Sequence, residues 1–123
     1  MRKINYVKGS LYYADLDPVI GSEQGGIRPV LVVSNDLGNK HSPTVVIAPL
    51  TSKVVTRTLL PTHVRVKAFE GIKNDSVILV EQVRSIDKKR LHSFLGRLEI
   101  KQEIAVEKAL IIEFGIGVRR GDE

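Results

Sequence analysis

Gly21-Ser22-Glu23-Gln24-Gly25-Gly26-Ile27-Arg28-Pro29 runs directly into Val30-Leu31-Val32-Val33. A polar, glycine-rich loop hands over to a strand whose unbroken apolar run asks for burial on both faces. The next strand-like run, Thr44-Val45-Val46-Ile47-Ala48-Pro49-Leu50, ends on Thr51. Arg28 and Thr51 therefore set a guanidinium and a hydroxyl beside a loop rich in donors. A guanidinium matches phosphate oxygens in a planar fork and keeps its charge. A threonine hydroxyl donates to or accepts from the same group. Together they suit a bound phosphodiester. Taken singly, an arginine at a strand start reads as a surface ion pair, and a threonine at a strand end reads as structural.

Working outward, the sequence predicts short strands, turns between them and one terminal helix. Leu11–Ala14 is a first strand, closed by Asp15-Leu16-Asp17-Pro18, and Arg28–Ser34 is a second. Asn35–Asn39 reads as a turn, with Ser42-Pro43 at its far end. Thr44–Thr51 is a third strand. Pro49 cannot donate to a ladder, so it belongs at an edge or a bulge. His63-Val64-Arg65-Val66-Lys67 alternates strictly, with His63, Arg65 and Lys67 expected to face outward. Ser76–Glu81 is a buried strand, Asp87 caps a short helical turn over Lys88–Leu91, and His92–Leu98 is a last strand. Glu99–Phe114 is a helix ended by Gly115 and Gly117. The acidic stripe Glu99, Glu103 and Glu107 reads as its wet face, whereas Ala109–Ile112 asks for cover on more than one side.

The fold class is thus mainly β with a C-terminal helix, a small and partly open barrel with a helical cover. The loops from Asp17 to Ile27 and from Ser34 to Ser42 are expected to share one rim. The chain of 123 residues reads as one domain, with its core over about 9–114 and residues 115–123 a loose tail. It holds no cysteine, which excludes disulfides and thiol chemistry, and its histidines show no metal-ligand spacing. No apolar run approaches a membrane span, and the basic N-terminus lacks a signal-peptide core, so a cytoplasmic location is expected.

The formal net charge is +5. Between Asp36 and Asp75 stand Lys40, Lys53, Arg57, Arg65, Lys67 and Lys73, interrupted by a single acid, Glu70. From Glu99 onward six acids face four bases. A basic middle and an acidic end imply one positive face, which is either a solvated surface or a polyanion site such as one for nucleic acid.

Tyr12-Tyr13-Ala14-Asp15-Leu16-Asp17-Pro18, followed by the Gly21–Val32 stretch, resembles the MazF/PemK family of toxin endoribonucleases. Leu60-Pro61-Thr62-His63-Val64, Asp75–Arg84 and Ile86–Leu91 resemble it too. The likeness runs from about Gly9 to Phe114 and is nearest the Gram-positive branch. It implies an SH3-like barrel, a homodimer, an antitoxin partner, and a sequence-specific, ribosome-independent ribonuclease that cuts single-stranded messenger RNA without metal or cofactor. It also places the family's two principal catalytic residues on Arg28 and Thr51.

RNA carries its own nucleophile in the 2′-hydroxyl. Arg28 suits stabilisation of the phosphorane-like charge, and it is a poor proton carrier because guanidinium deprotonates only at very high pH. Thr51 suits orienting the phosphoryl oxygens. Glu23 is the nearest candidate base, or else positions substrate. Ser22, Glu23 and Gln24 belong to a loop whose glycines allow a substrate gate, or merely fill it. Asn35 and Gln82 carry amides fit to read base edges, against turn bonding and simple exposure respectively. His41 and His63 are surface residues or acid–base helpers. Two rivals stand beside the nuclease. CcdB-type gyrase poisons share the fold but depend on a C-terminal tryptophan, and this chain has none. A non-catalytic RNA-binding module is the other.

Overall fold

The computed structural model describes residues 6–53 and 59–121. Arg57 of the basic middle and the last two residues of the tail lie outside the described residues. Among the described residues seven strands form one antiparallel sheet: β1 (Ser10–Asp15), β2 (Ile27–Val32), β3 (Thr44–Thr51), β4 (His63–Val66), β5 (Ser76–Leu79), β6 (Arg84–Asp87) and β7 (Leu91–Arg97). A short helix α1 (Asp36–His41) joins β2 to β3, and α2 (Ile100–Phe114) follows the last strand. The order across the sheet is β4-β5-β3-β2-β1-β7, with β6 also on β3.

Alternation along β1, β2 and β3 feeds two cores. Leu11, Leu31, Ala48 and Leu50 point to one, which α2 covers with Val106 and Ala109. Tyr12, Ala14, Val30, Val32, Val45 and Ile47 point to the other, together with Ile86 and Leu91. Burial on both faces is what the continuous apolar runs required.

β3 organises the sheet. One of its edges pairs with β2 from Ile47 to Pro49. Its other edge pairs with β6 from Thr44 to Ile47 and with β5 at Leu50 and Thr51. Pro49 sits in the gap between those two partners. The missing N–H therefore falls where the outer ladder is handed from β6 to β5, and a fully buried proline costs no hydrogen bond there.

Four expectations need correction. Asn35–Asn39 is not a plain turn: Asn35 accepts from Gly38 N–H at 2.8 Å and starts α1. Asn39 is buried, and its amide donates to the Ser34 carbonyl at 2.8 Å. The strand from Ser76 stops at Leu79, and Val80–Gln82 form a 3₁₀ turn. His63 does not face freely outward, because its ring is drawn onto Glu81 and is only 12% exposed. The acidic stripe is not simply wet. Glu99 is the N-cap of α2, its N–H donating to the Gln102 side chain at 3.0 Å, and Glu103 lies half-buried over Gly9. α2 otherwise ends as predicted, with Gly115 in the left-handed conformation at φ 59°.

Candidate active site

Arg28 enters the site from the start of β2. Its Nε donates to the Gly25 carbonyl at 2.8 Å and its Nη1 to the Leu50 carbonyl at 3.1 Å. The guanidinium is thus aimed by two neutral acceptors. Among the described residues no carboxylate comes within ion-pair distance of it. Burial pulls its pKa below the ordinary arginine value, and the more distant Asp17 carboxylate opposes that shift. A partly desolvated cation with donors left over is prepared for an incoming anion.

Thr51 ends β3 opposite Val77 of β5 and is buried. Its Oγ1 accepts from Lys53 N–H at 3.3 Å. Arg28 and Thr51 line one hollow of about 280 Å³, together with Tyr13, Lys53, Lys73 and Asn74. Among the described residues its lining contains three cations (Arg28, Lys53 and Lys73) and no acid. Loop chemistry and strand pairing therefore bring the sequence-predicted pair together.

The glycine-rich loop is held at both ends. Leu16 N–H donates to the Gly26 carbonyl at 3.0 Å, and Gly26 N–H to the Asp17 carboxylate at 2.9 Å. Arg84 grips the Leu16 carbonyl at 3.1 Å, and Arg90 grips the carbonyls of Asp15 and Asp17 at 3.1 and 2.5 Å. The two adjacent glycines serve different ends. A Cβ on Gly25 would stand 2.5 Å from an Asp17 oxygen and 2.6 Å from a Val19 methyl, whereas Gly26 is needed for its φ of +72°.

The loop tip borders a second hollow of about 350 Å³, lined by Ser22, Glu23, Gln24, Glu81, Gln82 and Arg84 among others. Pro49 lines this hollow, while Leu50 and Thr51 line the first, so the two meet along the end of β3. Gln82 joins its parts: its Oε1 accepts from Gln24 N–H at 2.8 Å and its Nε2 donates to the Ser22 carbonyl at 3.5 Å. Glu23 is turned back on its own loop, accepting from Ile20 N–H at 2.6 Å.

His63 stands behind this second hollow. Leu60 N–H donates to its Nδ1 at 3.2 Å, so the ring proton sits on Nε2 and points at Glu81, 2.9 Å away. Thr62 donates to the other Glu81 oxygen at 3.0 Å. Asn35 and His41 line neither hollow; they begin and end α1, and the segment from Ser34 to Ser42 does not share the rim with the loop. The basic middle likewise divides. Lys53 and Lys73 border the Arg28 hollow, but Arg65 and Lys67 line a separate one with Asp75 and Glu99. Tyr13, Lys53 and Lys73 escaped the sequence reading of the site, because only strand order sets them beside Arg28. Among the described residues no group of three or more His, Asp or Glu side chains stands together as a metal site, and no helix is long and apolar enough to cross a membrane.

An antiparallel sheet covered by α2 thus sets a guanidinium with no carboxylate partner and a buried threonine into one hollow, whose described lining holds no acid. The family of PemK-like, MazF-like toxins of type II toxin-antitoxin systems matches residues 7–114. The chain is 47% identical over 110 residues to endoribonuclease EndoA of Bacillus subtilis (strain 168), covering 89% of this chain and 94% of that protein. It superposes on MazF of Deinococcus radiodurans with a TM-score of 0.79 at 27% identity, covering 93% of this chain and 100% of the other. It also superposes on an endoribonuclease in complex with its cognate antitoxin from a Mycobacterial species, with a TM-score of 0.74 at 25% identity over 92% and 98% of the two chains. This chain belongs to the PemK/MazF family of type II toxins.

Proposed function

We propose that this toxin is an endoribonuclease that cuts single-stranded messenger RNA at a short recognition sequence, with Arg28 and Thr51 acting in the chemical step. The observation that carries the reading is the Arg28 guanidinium, held by two backbone carbonyls beside Thr51 in a hollow whose described lining holds Lys53 and Lys73 and no acid. The 2′-hydroxyl attacks the adjacent phosphorus, the bond to the 5′-oxygen breaks, and the products are a 2′,3′-cyclic phosphate and a 5′-hydroxyl. Arg28 stabilises the charge gathering on the phosphoryl oxygens. Thr51 orients them. The second hollow, with Ser22, Gln24 and Gln82, receives neighbouring bases. No step is assigned to Glu23, whose carboxylate closes its own loop, nor to His41.

The toxin works as a homodimer in the cytoplasm, where its substrate is. Ile104, Ile111, Ile112 and Phe114 leave the outer face of α2 apolar and exposed, and a second copy would cover it. A disordered antitoxin segment, acidic and apolar, competes with RNA for the basic hollow. Retention of full ribonuclease activity under saturating cognate antitoxin would contradict that competition.

The test is cleavage of a long mixed-sequence RNA in EDTA, comparing wild type with Arg28→Ala and mapping the new ends. Discrete cuts by wild type alone, with 5′-hydroxyl ends, support the reading. Equal cutting by the variant sinks the role of Arg28, and no cutting by folded wild type returns the question to a gyrase poison or a non-catalytic binder.

A further inference from the structure

Tyr13 stands on β1 directly opposite Pro29 of β2, the neighbour of Arg28. Its side chain lines the same hollow as Arg28 and Thr51, yet it is 39% exposed. The other tyrosines are engaged. Tyr6 packs edge-on against Tyr12 with ring centroids 5.1 Å apart, and Tyr12 against Phe94 at 5.5 Å. Among the described residues the Tyr13 ring has no aromatic partner and its hydroxyl no hydrogen bond. Ile27, two ladder pairs further along and so on the same face, is exposed by 69%. Tyr13, Pro29 and Ile27 therefore make an apolar strip along one side of the hollow, and Lys53 and Lys73 border it with charge.

We propose that Tyr13 is a stacking platform for the base next to the scissile phosphate, with Lys53 and Lys73 meeting the flanking phosphates. The proposal rests on the reading of this site as one that cuts RNA. A single-stranded nucleotide bound through its phosphate presents an unstacked base within a nucleotide's reach of the guanidinium. Among the described residues lining that hollow, the only aromatic face is Tyr13. Every base has such a face, so the ring adds affinity with little sequence preference, and the amides of the second hollow are left to discriminate.

The experiment uses an oligonucleotide carrying the mapped cut site, made inert by a 2′-deoxy sugar at the cut, with affinity read by fluorescence anisotropy. Tyr13→Ala and Tyr13→Leu are expected to lose roughly five- to hundredfold in affinity, while Tyr13→Phe stays within about twofold of wild type. The loss should fall on KM rather than kcat when the ribose substrate is cut. The chain has no tryptophan, so Tyr13→Trp gives one emitter, whose fluorescence should be quenched as the oligonucleotide binds. Lys53→Ala and Lys73→Ala should each reduce the slope of log affinity against log salt by about 0.7. Tyr13→Leu binding as well as wild type overturns the stacking role, because it shows that apolar bulk suffices; so does an unmoved Tyr13→Trp emission at saturation. If wild type binds and cuts while these variants are indifferent, only the stacking proposal falls. If folded wild type neither binds nor cuts RNA, the reading of the site falls, and the platform with it.

Discussion

Arg28 donates from Nη1 to the carbonyl of Leu50 at 3.1 Å, so a single hydrogen bond ties the start of β2 to the residue before Thr51. The two candidate catalytic residues are thereby set by one another's strands. Their spacing depends on the β2–β3 ladder, which pairs Val30 with Pro49. A site fixed by a ladder is more exact than one carried on a loop.

Replacing Arg28 tests charge and fork separately. Arg28→Ala should cost about 10²- to 10³-fold in single-turnover cleavage, the usual loss on removing one donor to transition-state charge. It should cost about 1 kcal/mol of stability for each of the two carbonyl bonds given up. Arg28→Lys keeps the charge but cannot span Gly25 and Leu50, so it should bind RNA nearly as well and still cut slowly. Lysine at wild-type rate would show that the fork is irrelevant.

Thr51→Val removes the hydroxyl at nearly constant volume from a buried position. Lys53 N–H loses its acceptor, for about 1 kcal/mol of stability. The cleavage rate should drop by roughly 10²-fold, whereas Thr51→Ser should recover most of it. Rate and chemical denaturation, measured on the same preparations, separate the two effects. A valine variant that cuts normally would leave Thr51 a structural strand end.

Gly25→Ala places a methyl against Asp17 and Val19. Overpacking of this kind costs about 1–3 kcal/mol. The strain acts on the carbonyl that aims Arg28, so cleavage should fall along with the melting temperature. Unchanged stability and rate together would mean that the loop gives way freely and does not position the arginine.

Tyr12 gives a pH dependence unconnected with catalysis. Its folded pKa is raised above the ordinary 10.0, first by burial and then by Tyr6, against an opposing pull from Arg97. The fold thus holds the neutral phenol. That contribution is fully present below pH about 10 and is lost as pH climbs through 10.0 toward the higher folded value. Urea midpoints taken from pH 8 to 11 should decline less steeply for Tyr12→Phe. Parallel curves for the two proteins would rule the phenol out.

Much of this was legible in the chain. The apolar runs of β2 and β3, the alternation of β4 and the glycine that ends α2 are local signals, and they fall close to where the sequence predicts them. α1 was hidden because Asp36–His41 carries only Leu37 as an apolar residue and begins on a residue that equally starts a turn. β6 was hidden because Arg84-Ser85-Ile86-Asp87 has one apolar side chain, and its pairing with β3 supplies what its composition does not. The site shows the same division. Arg28 and Thr51 were readable from loop and strand ends, and Gln82 as an amide, but its bond to Gln24 spans 58 positions. The outward reading of His63 failed through the contact with Glu81. No periodicity encodes such pairings; the sheet order creates them.

The most direct measurement of attack by the 2′-hydroxyl compares two oligonucleotides containing the mapped cut site, one all-ribose and one with a single 2′-deoxy sugar at the cut. Under single-turnover conditions in EDTA, the first should be cleaved to a 5′-hydroxyl end that polynucleotide kinase labels directly, and the second should stay intact while bound with similar affinity. Cleavage of the deoxy-substituted strand at a comparable rate would contradict attack by the RNA's own hydroxyl, and with it the roles given to Arg28 and Thr51.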